Sequence, residues 1–159
     1  MKLNCIIIED DPIQRAINTK LVTNHPDLNL VGAFWNAIEA KKCLSINRID
    51  LLFLDIEIPL INGFALLDSL TEKPQIVFIS SHEEYAIIAF NYNATDYIKK
   101  PVTLERFNVA VKKAFNFHAL KNKNSSIEQE EEKGEHIIIK SNLKKKKLFT
   151  NKINWVEAY

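Results

Sequence analysis

Several features that define other classes of protein are scarce or missing in this chain of 159 residues. It has only two cysteines, Cys5 and Cys43, and they lack the spacing of a disulfide framework or a zinc site. We therefore expect buried free thiols in a reducing compartment. The four histidines form no metal-binding set in the sequence. No apolar stretch approaches the ~20 residues of a membrane span and no signal peptide opens the chain, which predicts a cytoplasmic location.

The chain also lacks a large excess of positive or negative charge, because 21 basic and 20 acidic residues leave a formal net charge of +1. The charges are nevertheless distributed unevenly. Residues 1–117 carry 12 basic and 14 acidic side chains, residues 118–135 carry three and five, and residues 136–159 carry six and one. The body of the protein is thus mildly acidic, and the C-terminal segment is basic.

Five apolar runs alternate with helix-like segments over the first 117 residues. The runs cover residues 2–8, 28–34, 50–54, 75–79 and 95–98, and the predicted helices cover 12–24, 36–47, 62–70, 82–91 and 103–117. Asp11, Asn36 and Thr103 stand where N-caps are expected. Alternating strands and helices imply a parallel sheet covered on both sides, joined by right-handed crossovers. The sequence predicts an α/β fold, a flavodoxin-like doubly wound five-stranded parallel sheet.

The pattern stops near residue 118. Residues 121–135 are polar and charged, which indicates a linker or an extended helix end. Short strands are predicted at 136–140, 144–150 and 153–157. Because chains below ~40 residues rarely hold a core alone, we expect a short incomplete β-rich tail. Its four consecutive lysines, 144–147, suit either a nucleic-acid patch or a solvated edge.

Carboxylates follow two of the predicted strands. Glu9, Asp10 and Asp11 come directly after the first apolar run, and Asp55 ends the third. The carboxyl ends of parallel strands meet at one edge of the sheet, where open α/β folds bind ligands. Like charges held that close need a cation or a bound proton. Oxygen ligands alone favour a hard ion such as Mg2+.

Two further polar residues should reach the same edge. Ser80 follows the fourth strand and Lys100 follows the fifth. A carboxylate, a divalent cation, a hydroxyl and an ammonium form a set suited to phosphoryl transfer onto Asp55. Asp55 would then act as the nucleophile and form an acyl phosphate.

Residues 1–120 resemble the receiver domain of a two-component response regulator. The resemblance lies in five motifs that occur in the family's order: Ile8-Glu9-Asp10-Asp11-Pro12, Leu54-Asp55-Ile56-Glu57-Ile58-Pro59, Asn62-Gly63, Ser80-Ser81 and Asp96-Tyr97-Ile98-Lys99-Lys100-Pro101. It implies that Asp55 is the phosphoacceptor. It also implies that Asp10, Asp55 and the backbone carbonyl of Glu57 ligate Mg2+, with Glu9 acting mainly through a metal-bound water.

The same resemblance assigns a switch. Ser80 and Lys100 would contact the phosphoryl group, Tyr97 would be the switch aromatic, and Pro101 would follow a cis peptide bond. Ser81 stands where many receivers carry Ala, while Glu57 and His82 flank the site and could tune the lifetime of the phosphate. Asp11 is better read as a helix cap than as a ligand.

The tail carries a second resemblance. Residues 136–141 and 153–159 resemble the first strands of the LytTR DNA-binding domain, and residues 83–97 resemble receivers of that class. The predicted domains are a receiver at 1–120, a linker at 121–135 and an N-terminal LytTR fragment at 136–159. Since the chain ends before most of a LytTR domain, DNA binding is expected only through a completed C-terminal domain.

The predicted function is that of a phosphorylation-activated response regulator with a sensor histidine kinase as partner. It would form a homodimer through its fourth helix, fifth strand and fifth helix, and would not act on a separate substrate as an enzyme. Six charged residues could pair across that dimer: Glu83, Glu84, Lys99, Arg106, Lys112 and Lys113. The alternative is a stand-alone receiver that serves as a phosphate sink or protein-binding switch. A haloacid-dehalogenase-like phosphatase is disfavoured, because Glu57 stands where such enzymes place a second Asp.

Overall fold

The computed structural model describes the backbone of residues 1–132, 136–141 and 144–149 and the side chains of residues 1–120. The chain divides into two compact units, Met1–Phe117 and His118–Tyr159. Five strands alternate with five helices from the N-terminus: β1 Leu3–Ile8, α1 Pro12–Asn24, β2 Leu28–Phe34, α2 Ala37–Ile46, β3 Leu51–Leu54, α3 Gly63–Asp68, β4 Gln75–Ser80, α4 Tyr85–Asn91, β5 Asp96–Lys99 and α5 Leu104–Glu132.

The five strands form one parallel sheet in the order β2-β1-β3-β4-β5. The predicted flavodoxin-like doubly wound fold is therefore confirmed. The register aligns the carboxyl ends of β1 and β3, since Ile8 pairs with Leu54, while β4 continues two residues past the Leu54–Phe78 pair to Ser80 at the same edge. Residues that directly follow these strands consequently emerge at the same edge of the sheet.

Two separate apolar clusters cover the sheet, one on each face. Successive residues of β1 point to opposite faces, so Cys5 and Ile7 belong to the cluster that includes residues of α1 and α5. Ile6 and Ile8 belong to the other, which includes residues of α2, α3 and α4. Because β1 and β3 are buried on both faces, they consist almost wholly of apolar residues.

The expectation of buried free thiols is confirmed for Cys5 only, because Cys43 is not fully buried. Both are free thiols, with Cys5 buried and Cys43 half-buried. Burial, with a smaller contribution from the charge of Asp50, raises the pKa of the Cys5 thiol to about 12. Cys5 therefore stays protonated at physiological pH and serves as a small apolar residue of the core.

Short polar side chains begin the helices at the predicted positions. The Asp11 carboxylate accepts hydrogen bonds from the backbone N–H groups of Ile13 and Gln14, both at 2.8 Å. Asn36 accepts from the backbone N–H of Glu39 at 2.9 Å. These contacts satisfy backbone donors that a first helical turn leaves unpaired. The cap interpretation of Asp11 is confirmed.

Two helices differ from their predicted bounds by three residues or more at one end. Residues 82–84 form a turn, and α4 begins only at Tyr85. The last helix does not end at 117 but continues as α5 to Glu132. Of the two alternatives for residues 121–135, a linker or an extended helix end, the helical course of residues 121–132 corresponds to the extended helix end. Seven of the residues 121–132 are Lys, Glu or Gln, which lose little side-chain freedom in a helix, and Gly134 is the first strong helix breaker after them.

The second unit contains a β-hairpin of two antiparallel strands, β6 His136–Ser141 and β7 Lys144–Phe149. Both were predicted, while the third predicted strand at 153–157 lies outside the described residues. In the described part of the chain, no helix combines the length and apolar character that crossing a membrane requires.

The different burial of two phenylalanines of α5 predicts that truncating them has different effects on stability. Phe107 is fully buried and stacks on Phe53 with ring centroids 5.1 Å apart. We expect Phe107→Ala to lower the free energy of unfolding by about 3–5 kcal/mol, measured by urea denaturation, because it leaves a cavity. Phe117→Ala is the control, since Phe117 is 65% exposed, and it should change stability by less than ~0.5 kcal/mol. Equal losses in the two variants would contradict this account of the core.

Candidate functional site

Backbone hydrogen bonds extend the sheet by one residue beyond several strands and so fix the site residues. The N–H of Asp55 donates to the carbonyl of Ile8 at 2.9 Å. The N–H of Lys100 donates to the carbonyl of Ser80, also at 2.9 Å. The N–H of Glu9 donates to the carbonyl of Phe34 at 3.0 Å. The side chains that follow the strands are therefore mounted on the rigid edge of the sheet.

The ammonium of Lys100 bridges two carboxylates at this edge. Its Nζ lies 2.6 Å from Oδ2 of Asp55 and 2.9 Å from Oε1 of Glu9. All three side chains are largely shielded from solvent, with exposed fractions of 13%, 7% and 1% for Lys100, Asp55 and Glu9. Water screens such charges poorly, so the ion pairs interact more strongly than pairs on the surface.

The described carboxylates also form a potential metal site. Ligand oxygens of Glu9, Asp10 and Asp55 all lie within 4.8 Å of one another, and Asp11 is not part of this group among the described residues. Three ionised carboxylates carry three negative charges and Lys100 carries one positive charge, so one divalent cation would neutralise the cluster. The ligands are all oxygen atoms, as Mg2+ prefers.

Glu9 shows how strongly the cluster needs positive charge. Its Oε2 lies 2.8 Å from Nζ of Lys100, but within the described part of the chain it is buried without a well-aligned hydrogen bond. Burial raises the pKa of Glu9 to about 7, an effect that the charge of Asp55 reinforces and Lys100 opposes. A proton and a metal ion are thus alternative ways of relieving the same repulsion.

Arg15 holds the loop between β1 and α1. Its Nη1 donates to the backbone carbonyls of Glu9 at 2.7 Å and of Asp10 at 3.0 Å. Arg15 is not among the residues predicted from the sequence. The available signal was an arginine one helical turn after the cap Asp11, a spacing that lets a long side chain reach back over the loop.

The loop after β3 shapes the surroundings of Asp55. The backbone N–H of Glu57 donates to Oδ1 of Asp55 at 3.3 Å, and the N–H of Gly63 donates to the carbonyl of Ile56 at 2.9 Å. A Cβ atom on Gly63 would lie only 2.8 Å from the carbonyl oxygen of Asp55. Glycine is therefore required for α3 to approach the loop this closely.

An open cleft of about 570 Å³ lies over these groups. The structure also has the Lys100–Pro101 peptide bond in the cis form, as predicted. The cleft brings together the predicted acidic residues, the lysine and several neighbours: Glu9, Asp10, Asp11, Gln14, Asp55, Glu57, Ser81, Lys100 and Pro101.

Residues 5–112 match the family of the response regulator receiver domain. The chain belongs to the response regulator receiver family. It is 35% identical over 114 residues to transcriptional regulatory protein YpdB of Escherichia coli K12. The aligned region covers 70% of this chain and 47% of YpdB. It is 36% identical over 113 residues to a response regulatory protein of Vibrio vulnificus, with 70% and 47% covered.

A solved structure supports the same assignment. The response regulatory domain of MrkE from Klebsiella pneumoniae superimposes with a TM-score of 0.66 at 33% identity, covering 72% of this chain and 96% of that domain. The chain spans about half the length of the curated relatives that it matches. The family is thus established for the receiver part of the chain.

Ser80 and Tyr97, the predicted switch residues of this receiver, both contact His82. Ser80 is fully buried, and its Oγ accepts a hydrogen bond from the backbone N–H of His82 at 3.3 Å. Tyr97 is half-buried, and its hydroxyl donates to the backbone carbonyl of His82. Burial raises the pKa of Tyr97, so the hydroxyl remains a donor at neutral pH.

Most of the charges predicted to pair across a receiver dimer are paired within the chain. Arg106 donates from Nη1 and Nη2 to the two carboxylate oxygens of Asp96 at 2.6 and 2.8 Å, and its Nη2 also donates to the carbonyl of Tyr97 at 2.6 Å. Lys113 lies 3.0 Å from the same Asp96. Lys99 lies 2.5 Å from Glu83. Arg106 therefore connects α5 to β5, the strand that carries Tyr97.

The close approach at Gly63 predicts that Gly63→Ala weakens the affinity of the potential metal site for added Mg2+ about tenfold or more, because the added methyl displaces the backbone that carries Asp55. Titration calorimetry measures the affinity. Gly32→Ala is the matched control: its Cβ would meet only the outer ring atoms of Phe34, which can move aside. Unchanged affinity in Gly63→Ala would show that the loop tolerates the displacement.

The ion pairs of Asp96 with Arg106 and Lys113 predict a contribution to stability that depends on pH. Burial alone would raise the pKa of Asp96, but hydrogen bonds from Arg106, Lys113 and the N–H of Tyr97 hold it below the usual 3.8. Because the pKa is lower in the folded state, ionised Asp96 stabilises the protein at pH values above the ordinary carboxyl pKa. This stabilisation is lost as the pH falls through the lowered pKa.

We therefore expect Asp96→Asn to cost about 1–3 kcal/mol of unfolding free energy at neutral pH and progressively less in acid. Urea denaturation across pH measures this. Asp68→Asn is the control, because the exposed Asp68 accepts from the uncharged Tyr92 hydroxyl, and its cost should vary less with pH. A cost for Asp96→Asn that does not depend on pH would contradict the ionic origin of the effect.

Proposed function

We propose that this receiver is the phosphorylation-activated part of a response regulator and takes a phosphoryl group from a phosphohistidine of a partner sensor kinase onto Asp55. The observation that carries this proposal is the Lys100 ammonium, 2.6 Å from Oδ2 of Asp55 and in contact with Glu9. An ammonium so placed can neutralise charge that develops on a transferring phosphoryl group.

The transfer itself is a displacement at phosphorus. An oxygen of Asp55 forms the new O–P bond while the bond from phosphorus to the donor's histidine nitrogen breaks, and that nitrogen keeps the electron pair. Glu9, Asp10, Asp55 and the backbone carbonyl of Glu57 would hold Mg2+, which supplies further positive charge to the phosphoryl oxygens. Hydrolysis of the acyl phosphate later returns Asp55 and inorganic phosphate, so the protein acts on its own side chain and not on a separate substrate.

The switch would follow from the charge that the phosphoryl group adds, about one extra negative unit at neutral pH. Ser80 would donate its hydroxyl proton to a phosphoryl oxygen, which loosens its present bond with the N–H of His82. Tyr97 contacts the same residue and would move with it. Phosphorylation need only shift the populations of two conformations.

The output would be dimerisation and transcription. Ile87 and Phe90 of α4 and Leu104 of α5 are 78%, 83% and 56% exposed, which supports a second copy as the partner of the face formed by α4, β5 and α5. Because Arg106 and Lys113 are bound to Asp96, apolar contacts would contribute more to this dimer than ion pairs. DNA binding would be the task of a LytTR domain, and the name of the relative YpdB, a transcriptional regulatory protein, supports a transcriptional output. A stand-alone receiver remains the alternative.

Incubation with Mg2+ and acetyl phosphate, followed by intact-mass analysis, tests the proposal. We expect the wild-type chain to gain one phosphoryl group and Asp55→Asn to gain none, because an amide is not a competent nucleophile. Asp11→Asn is the control: asparagine caps a helix as well as aspartate does, so this variant should still be phosphorylated. A gain that survives Asp55→Asn would assign the chemistry to another residue.

A further inference from the structure

The side chain of Glu57 makes two contacts that the chemistry at Asp55 does not use. Its Oε1 accepts a hydrogen bond from the hydroxyl of Tyr85 at 3.3 Å, and its Oε2 lies 3.2 Å from Nε2 of His82. Tyr85 is the first residue of α4, and His82 lies in the turn before it. Glu57 therefore connects the phosphoacceptor loop with the start of α4.

The start of α4 depends on such contacts more than other helix ends do. Asp11, Asn36 and Asn62 cap α1, α2 and α3 with side-chain hydrogen bonds, whereas Glu84 makes no capping bond to any described residue. The seven residues of α4 are too few for a helix that is stable by itself. Its first turn is instead positioned by the side chain of Tyr85.

Tyr85 is well placed to position the helix. Its ring packs edge-on against Phe64 of α3 with centroids 6.0 Å apart, and it lies 5.6 Å from the ring of His82. The ring is thus held between two neighbours while its hydroxyl reaches Glu57. A displacement of Glu57 would therefore be passed to the first turn of α4 through one oriented side chain.

Phosphorylation has a direct way of displacing Glu57. The backbone N–H of Glu57 donates to Oδ1 of Asp55 at 3.3 Å, so the residue is bonded to the group that changes charge. When one oxygen of Asp55 becomes part of an acyl phosphate, the strength and direction of this bond must change. The side chain moves with its backbone, and its two contacts with α4 and the preceding turn move as well.

We infer that Glu57, Tyr85 and His82 form a bridge that transmits phosphorylation of Asp55 to α4, in parallel with the contacts of Ser80 and Tyr97. The inference rests on the proposed phosphorylation of Asp55. Glu57 is a positioning residue in this role, because its carboxylate acts through α4 and not on the phosphoryl group. The bridge leads to a helix whose apolar residues Ile87 and Phe90 are exposed.

The bridge biases a conformation and contributes little to the stability of the fold. The side chains of Glu57 and His82 are 53% and 44% exposed, and ion pairs of such exposure contribute little. Removing the Tyr85 hydroxyl should therefore leave the protein folded. It should nevertheless weaken the response of α4, because a modest difference between two states is enough to shift their populations.

Hydrogen–deuterium exchange of the α4 amides, residues 85–91, tests the bridge in the full chain. Each protein is measured with Mg2+, before and after incubation with acetyl phosphate, and intact mass records the extent of phosphorylation. The wild type should show a phosphorylation-dependent change of exchange in α4. Tyr85→Phe should reach the same extent of phosphorylation but lose about half or more of that change.

Tyr92→Phe is the matched control. Tyr92 directly follows α4 and donates its hydroxyl to a carboxylate, Asp68, at 3.0 Å, but Asp68 ends α3 and is not in the phosphoacceptor loop. This variant should keep the full wild-type change. Equal responses in Tyr85→Phe and the wild type would overturn the bridge, and so would equal losses in the two variants. A wild type that takes no phosphoryl group would instead overturn the proposed function.

Discussion

The structure depends on one electrostatic constraint: a parallel sheet whose strands end together places like charges in contact. Glu9 and Asp55 follow adjacent strands, and their carboxylates are almost fully buried. The ammonium of Lys100 is bonded to both carboxylates and offsets part of their repulsion. The remaining negative charge, to which Asp10 contributes, explains why the cleft is suited to a divalent cation and to a phosphoryl group that arrives with it.

The same few residues connect this charge cluster to distant surfaces. Lys100 directly follows β5, which carries Tyr97, and Arg106 binds the carbonyl of Tyr97 from α5. On the other side of the site, Glu57 lies two residues after Asp55 in the chain, and its side chain contacts Tyr85 at the start of α4. A change of charge at Asp55 would therefore reach both helices of the proposed dimer face through short chains of contacts.

The sequence predicted those features that depend on position along the chain. Strand ends alone grouped Glu9, Asp10, Asp55 and Lys100, and residue type with position made Asp11 a cap. Contacts between side chains on separate elements were missed, such as the bidentate pair of Arg106 with Asp96. Such pairs depend on the packing angles and rotamers of two helices or loops, which no local pattern encodes. The predicted end of α5 was too early because the sequence of its second half, residues 121–132, is polar and charged. Without an apolar stripe, such a segment cannot be told from a linker by its pattern.

Chemical localisation of the phosphoryl group tests the central claim most directly. Borohydride reduces an acyl phosphate of aspartate to homoserine, which is stable and can be placed in the chain by tandem mass spectrometry of peptides. After treatment with Mg2+ and acetyl phosphate, the account predicts homoserine at position 55 and aspartate retained at positions 10 and 11. Homoserine at position 10 or 11, or reduction at no aspartate, would contradict the assignment of Asp55 as the nucleophile held by Lys100.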